Sequence, residues 1–399
     1  MANNKKFFSL ICFLLLVSKL VGAQQQNGFT IDGNIEGLVD GEKMTLVMAN
    51  SNGLDENSFD MLRTDSGYSK NGRFHISGFV PEGPRYYWLI FDKHADKIIE
   101  LFINNNEQIK LESGDMKKIP HNYIQHYVKI EGSPTHYGMM CLNPILVFYN
   151  QSISRINHCI RNVKDSMGFN GPVIEAFIKA RDEVNQALYF NILAGGRDPE
   201  IEKASIFLSS ALYLKSGHAS FWPDLYNMLS ETEKNSFYGK LLKEKIKLCV
   251  GQPFPEFTLS MLDGKMLSLK EVVSKGKITI VQFWAKNSIE RKDYQGELLG
   301  LYKKYHYKGL NVIGFSTDKY KDEWAEALQE SKFSWYNVGD QRGVNGIAKT
   351  VYHEYSTDFD KDLFIHNTTN VVLDAEGKIL AWDVRGAELQ YYLWKAMGE

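Results

Sequence analysis

The stretch Thr279-Ile280-Val281-Gln282-Phe283-Trp284-Ala285-Lys286-Asn287-Ser288-Ile289-Glu290-Arg291 changes character halfway along. Residues 279–284 are a short apolar run of strand length, and the polar Lys-Asn-Ser that follows breaks it. A helix is predicted over 288–305. The same alternation continues outward, with a strand at 310–315 and a helix at 319–331 carrying Trp324, Ala327 and Leu328 on one side. A strand at 371–373, a turn at 374–377, a strand at 379–382 and a closing helix at 387–397 complete it. Strands alternating with helices predict a parallel or mixed sheet covered on both faces.

Upstream the periodicity differs. Over 28–132 apolar residues recur at strand spacing (Phe29, Ile31, Ile35; Met44, Leu46, Met48), and Asn71-Gly72 precedes Phe74 and Ile76 as a hairpin signal. Apolar runs at 86–91 and 98–103, then Ile109 and Leu111, extend the pattern, predicting a small sandwich or open barrel. Beyond Gly132, Ile145, Tyr149, Ile153, Ile156, Ile160, Val163 and Met167 follow helical spacing, and Val173, Phe177, Val184 and Leu188 repeat it. Asp198-Pro199 suggests a third helix start, and Ser230 with Glu233 a capping box.

The chain has 399 residues, 24% charged, with a formal charge of −2 and four cysteines. That length suggests two or three domains. Near-neutral charge argues against nucleic-acid binding, and four cysteines are too few for a disulfide scaffold. Lys5 and Lys6, the apolar run 7–17 and Val21-Gly22-Ala23 before Gln24 form the pattern of a secretory leader cleaved between Ala23 and Gln24. Cleavage lowers 46 basic residues to 43 against 48 acids, leaving −5, and leaves Cys141, Cys159 and Cys249. No later segment has the apolar length of a membrane span. The expected division is leader 1–23, β-domain 24–132, helical connector 133–248 and α/β domain 249–399.

From Gly251-Gln252-Pro253-Phe254-Pro255-Glu256-Phe257 onward the chain resembles exported bacterial thioredoxin-like proteins of the redoxin and cytochrome-maturation type. Asp263-Gly264-Lys265, the strand ending Phe283-Trp284-Ala285, Asp374–Ile379 and Arg385-Gly386 carry the likeness in order. Gly33–Leu38 and Asn71–Phe74 resemble the uncharacterised β-domain that often precedes such modules in Bacteroidota. The resemblance implies a thioredoxin fold at 249–399 and a location in the periplasm or cell envelope.

Active members of that family place a Cys-x-x-Cys at the start of the helix, where the helix dipole favours a thiolate and the second cysteine resolves the mixed disulfide. In the same frame this chain has Ser288 and Arg291, and no cysteine follows Cys249. The family's cis-proline aligns with Thr368, and no proline follows Pro255. Ser288 lacks a hydrolase-elbow context, so the simpler expectation is that Asn287 or Ser288 caps the helix.

The sequence carries no cofactor motif, and its ten histidines form no metal-ligand spacing. Cys141 and Cys159 are open to two readings, a disulfide if their region folds back or two buried small hydrophobes; Cys249 reads as a free thiol. Two functions follow from these readings. One is a non-catalytic envelope protein that binds an unidentified protein or peptide through a thioredoxin surface without a redox site. The other is a thiol–disulfide oxidoreductase, as the family would suggest.

Overall fold

A computed structural model describes residues 28–48, 62–120, 122–167, 169–195, 219–288, 291–331, 333–341 and 369–398. The leader, the third predicted helix start at Asp198-Pro199 and Thr368 lie outside these residues. Backbone contacts divide the chain into two compact units, one reaching to Tyr137 and one from Gly138 onward.

The first unit contains β1 (Phe29–Ile35), β2 (Lys43–Met48), β3 (Leu62–Tyr68), β4 (Arg73–Gly78), β5 (Arg85–Phe91), β6 (Lys97–Ile103), β7 (Gln108–Ser113), β8 (Asn122–Tyr123) and β9 (Lys129–Glu131). They form two sheets, β4-β1-β7-β9 and β3-β2-β5-β6-β8. The alternation seen in the sequence is what packs them. Phe29, Ile31 and Ile35 of one sheet share a core with Met44, Leu46, Leu89 and Leu101 of the other, so the unit is a sandwich. Asn71 and Gly72 both take positive φ (54° and 74°) between the paired Lys70 and Arg73, the backbone a tight hairpin turn requires. This turn passes the chain from β3 in one sheet to β4 in the other. The sequence reading missed β3, because Leu-Arg-Thr-Asp-Ser-Gly-Tyr is mostly polar and the strand lies at a sheet edge.

Buried carboxylates tie down the loops of this unit. Glu42, fully buried, accepts from the Lys93 amide (2.9 Å) and the Val39 amide (3.2 Å) and pairs with His94 Nδ1 (2.9 Å). Glu107 accepts from the Asn104 amide, the Ser133 hydroxyl and the Thr135 amide (3.1, 2.8 and 3.2 Å). Thr135 lies in the first turn of α1 (Pro134–Met167), so this carboxylate satisfies a helix-end donor that has no partner within the helix.

The second unit begins in α1 and continues through α2 (Gly171–Gly195), α3 (Trp222–Met228), α4 (Glu231–Lys234) and α5 (Phe237–Lys245). The Ser230/Glu233 capping box forms in both directions at the start of α4. Then come β10 (Thr258–Met261), β11 (Met266–Ser268), α6 (Leu269–Val273), β12 (Ile278–Trp284), α7 (Arg291–Tyr305), β13 (Leu310–Ser316) and α8 (Lys321–Ser331). β14 (Tyr336–Gly339), β15 (Thr369–Asp374), β16 (Ile379–Trp382) and α9 (Gly386–Met397) complete the unit. The sheet order is β11-β10-β14-β13-β12-β15-β16. β12 runs parallel to β13 and antiparallel to β15, and β13 runs parallel to β14. One sheet face packs Val281, Phe283, Ile313 and Phe315 against Phe254, Phe257 and Val272. The other packs Ile278, Ile280 and Val312 against Leu298 of α7 and Leu389 and Leu393 of α9. This mixed sheet covered on both faces is a thioredoxin fold.

The α1–α2 hairpin packs onto this domain. Ile160, Val163 and Ile174 share a core with Ala387 and Tyr391 of α9. A Cβ at Gly171 would sit 2.9 Å from the Trp394 ring, so the chain passes against that indole where no side chain fits. Arg181 pairs with Glu388 at 2.5 Å and donates to Asn157 at 3.1 Å. Because α1 is one continuous helix, Cys141 and Cys159 lie about 27 Å apart along it. A disulfide needs Cα atoms within about 7 Å, so the bridge considered from sequence is excluded. The alternative of two buried cysteines is also corrected, since Cys159 is exposed and Cys141 half-buried; Cys249 is buried and in no disulfide.

Two outcomes are expected. Glu388→Gln leaves the Arg181 guanidinium buried without its counter-charge and should cost about 2–4 kcal/mol in denaturant melts. Burial lowers His136, 5% exposed, from its usual range to about 4. The unfolded chain therefore binds a proton below about pH 6.5 that the folded chain refuses. Stability should fall by up to about 3 kcal/mol between pH 6.5 and 4 and stay level above it. His136→Asn, which keeps an acceptor facing the Phe102 amide, should flatten that slope in melts across the pH range.

Candidate functional site

The site lies where β12 ends, at the carboxyl edge of the parallel strands, a common place for ligands in α/β sheets. All seven residues of β12 are buried, so the strand end is rigid. The turn after it closes on itself: the Ser288 amide donates to the Ala285 carbonyl (3.1 Å) and the Ser288 hydroxyl accepts from the Ala285 amide (2.8 Å). That hydroxyl points back to the strand, and the described helix α7 opens at Arg291. The side chain of Arg291 and residues 289–290 lie outside the described residues.

A second loop, following β13, is latched to this turn. Asp318 accepts from the Lys286 amide (2.9 Å) and from the Ser316 hydroxyl (2.8 Å), and its own amide donates to Ser316 Oγ (3.1 Å). The Thr317 amide and hydroxyl both donate to the Trp284 carbonyl, at 2.8 and 3.2 Å. Lys286 reaches across to Glu326 of α8 at 2.6 Å, and that hydrogen bond raises the lysine above its ordinary range. The sequence reading missed this latch, because Asp318 and Glu326 lie 32 and 40 residues from Lys286 with no motif linking them.

Behind the turn, the core contains neutral polar groups. Gln282 of β12 and Asn370 of β15 are register partners, and both are fully buried. The Asn370 amide donates to the Val384 carbonyl at 3.0 Å. Tyr294 of α7 faces Asn370, and burial pushes its hydroxyl well above the usual tyrosine range. The Arg385 guanidinium lies 4.9 Å from the centre of its ring. At neutral pH none of Gln282, Asn370 and Tyr294 can take up a proton, so this layer offers no general base. Gln282 was the available sequence signal, a polar residue inside an otherwise apolar strand.

Thr369, buried at the start of β15, pairs with Phe283, so the chain re-enters the described structure beside the end of β12. Among the described residues no three His, Cys, Asp or Glu side chains gather as metal ligands, and no helix is long and apolar enough to cross a membrane.

Residues 250–381 match the AhpC/TSA family, and residues 29–137 match a domain of unknown function, DUF4369. Over 87 residues the chain is 31% identical to the thiol-disulfide oxidoreductase ResA of Bacillus anthracis and of Bacillus thuringiensis (strain Al Hakam). That stretch is 21% of this chain and 47% of each relative, so the chain spans about half the length of the curated relatives it matches. Among solved structures, a thiol-disulfide oxidoreductase from Bacteroides fragilis is similar at 26% identity and TM-score 0.31, covering 36% of this chain and 98% of that one. The thioredoxin domain of a thiol-disulfide oxidoreductase from Bacteroides vulgatus is similar at 27% identity and TM-score 0.32, covering 38% of this chain and 99% of that one. The second unit thus carries a redoxin domain of the AhpC/TSA family, and the first a DUF4369 domain.

Gln282 pays a desolvation cost, and neither side-chain amide atom finds a hydrogen-bond partner among the described residues. Gln282→Leu is therefore expected to leave the melting temperature unchanged or raise stability by about 1 kcal/mol. A loss above about 2 kcal/mol in the same melt would show that the amide is satisfied.

Proposed function

We propose that this protein is a non-catalytic member of the thioredoxin-like group, exported to the cell envelope, which holds a protein or peptide on its redoxin surface without exchanging disulfides. The observation that carries this reading is the composition of the β12–α7 turn. Thiol–disulfide exchange needs one thiolate to attack and a second thiol nearby to resolve the mixed disulfide. Ser288 and Arg291 stand three residues apart where the resemblance puts the family's two cysteines, and no cysteine follows Cys249. A serine hydroxyl can form no disulfide, and the buried groups beneath it offer no base to make it a nucleophile. The latch of Lys286, Asp318 and Glu326 instead favours a fixed surface.

The relatives' activity supports a second reading, in which the chain exchanges disulfides through its remaining cysteines. Geometry weighs against it: Cys141 and Cys159 stand about 27 Å apart on one helix, and Cys249 is fully buried.

One experiment separates the readings. The purified chain from Gln24 onward is assayed for dithiothreitol-driven reduction of a disulfide substrate, beside a Cys141→Ala/Cys159→Ala/Cys249→Ala variant and a Ser288→Cys/Arg291→Cys variant. The expected result is background turnover for the first two and an internal, reducible disulfide in the third, which would place positions 288 and 291 at the family's redox geometry. Turnover by the unmodified chain that disappears in the triple variant would establish the oxidoreductase reading.

A further inference from the structure

We draw no further inference here: the strongest candidate, the acidic side-chain cluster of Asp322, Glu323, Glu326 and Glu330 along α8, has Glu326 already paired with Lys286 of the site described above, and nothing among the described residues points to a ligand on it.

Discussion

The second unit depends on the burial of β12 on both faces. A strand in this position must satisfy every amide and carbonyl through its neighbours, because no water reaches it. It does so with β13 on one side and β15 on the other, over seven and six register pairs. Its side chains then alternate between two cores, Val281 and Phe283 into one, Ile278 and Ile280 into the other. Everything that positions the candidate site follows from this rigid strand end. The turn at 285–288 begins where the pairing stops, and the loop after β13 can latch to it because its strand runs parallel and ends alongside.

The electrostatics of that site are local and closed. Asp318 is used by an amide and a hydroxyl, Lys286 by Glu326, and the layer beneath is neutral. A site built to move protons or electrons places mismatched groups together so that their protonation states are pushed apart. Among the described residues near the turn, the large shift is that of Tyr294, and it holds the proton on.

Much of this was legible in the sequence because the governing patterns are local. Alternating apolar residues predicted β1, β2, β5 and β6; Asn71-Gly72 predicted its turn; Ser230 with Glu233 predicted a cap that forms as written. After residue 278 the strands and helices read from spacing matched to within two or three residues at each end, while the four-residue β14 carried too short a pattern to be read. The failures have physical causes. β3 escaped because an edge strand needs only one buried face and little apolar pattern. Cys141 and Cys159 were open to pairing because spacing alone does not say whether a helix turns back between them, and α1 is continuous. The latch and the Gln282–Asn370–Tyr294 layer bring together residues far apart in the chain. No local pattern announces such contacts; only the fold creates them.

The distance along the chain between β12 and the elements β15, β16 and α9 has a consequence for assembly. β12 pairs on one side with a strand 91 residues later, and α9 covers both a sheet face and the docking end of the α1–α2 hairpin. As the polypeptide is synthesised, neither the central strand nor the hairpin can complete its packing until residues 369–397 have emerged. Such non-local closure is slow and leaves an unpaired, strongly apolar strand edge exposed in the meantime. The nascent chain therefore passes through a window in which chaperone shielding matters. A product truncated before residue 369 would stay in that window and be prone to aggregate.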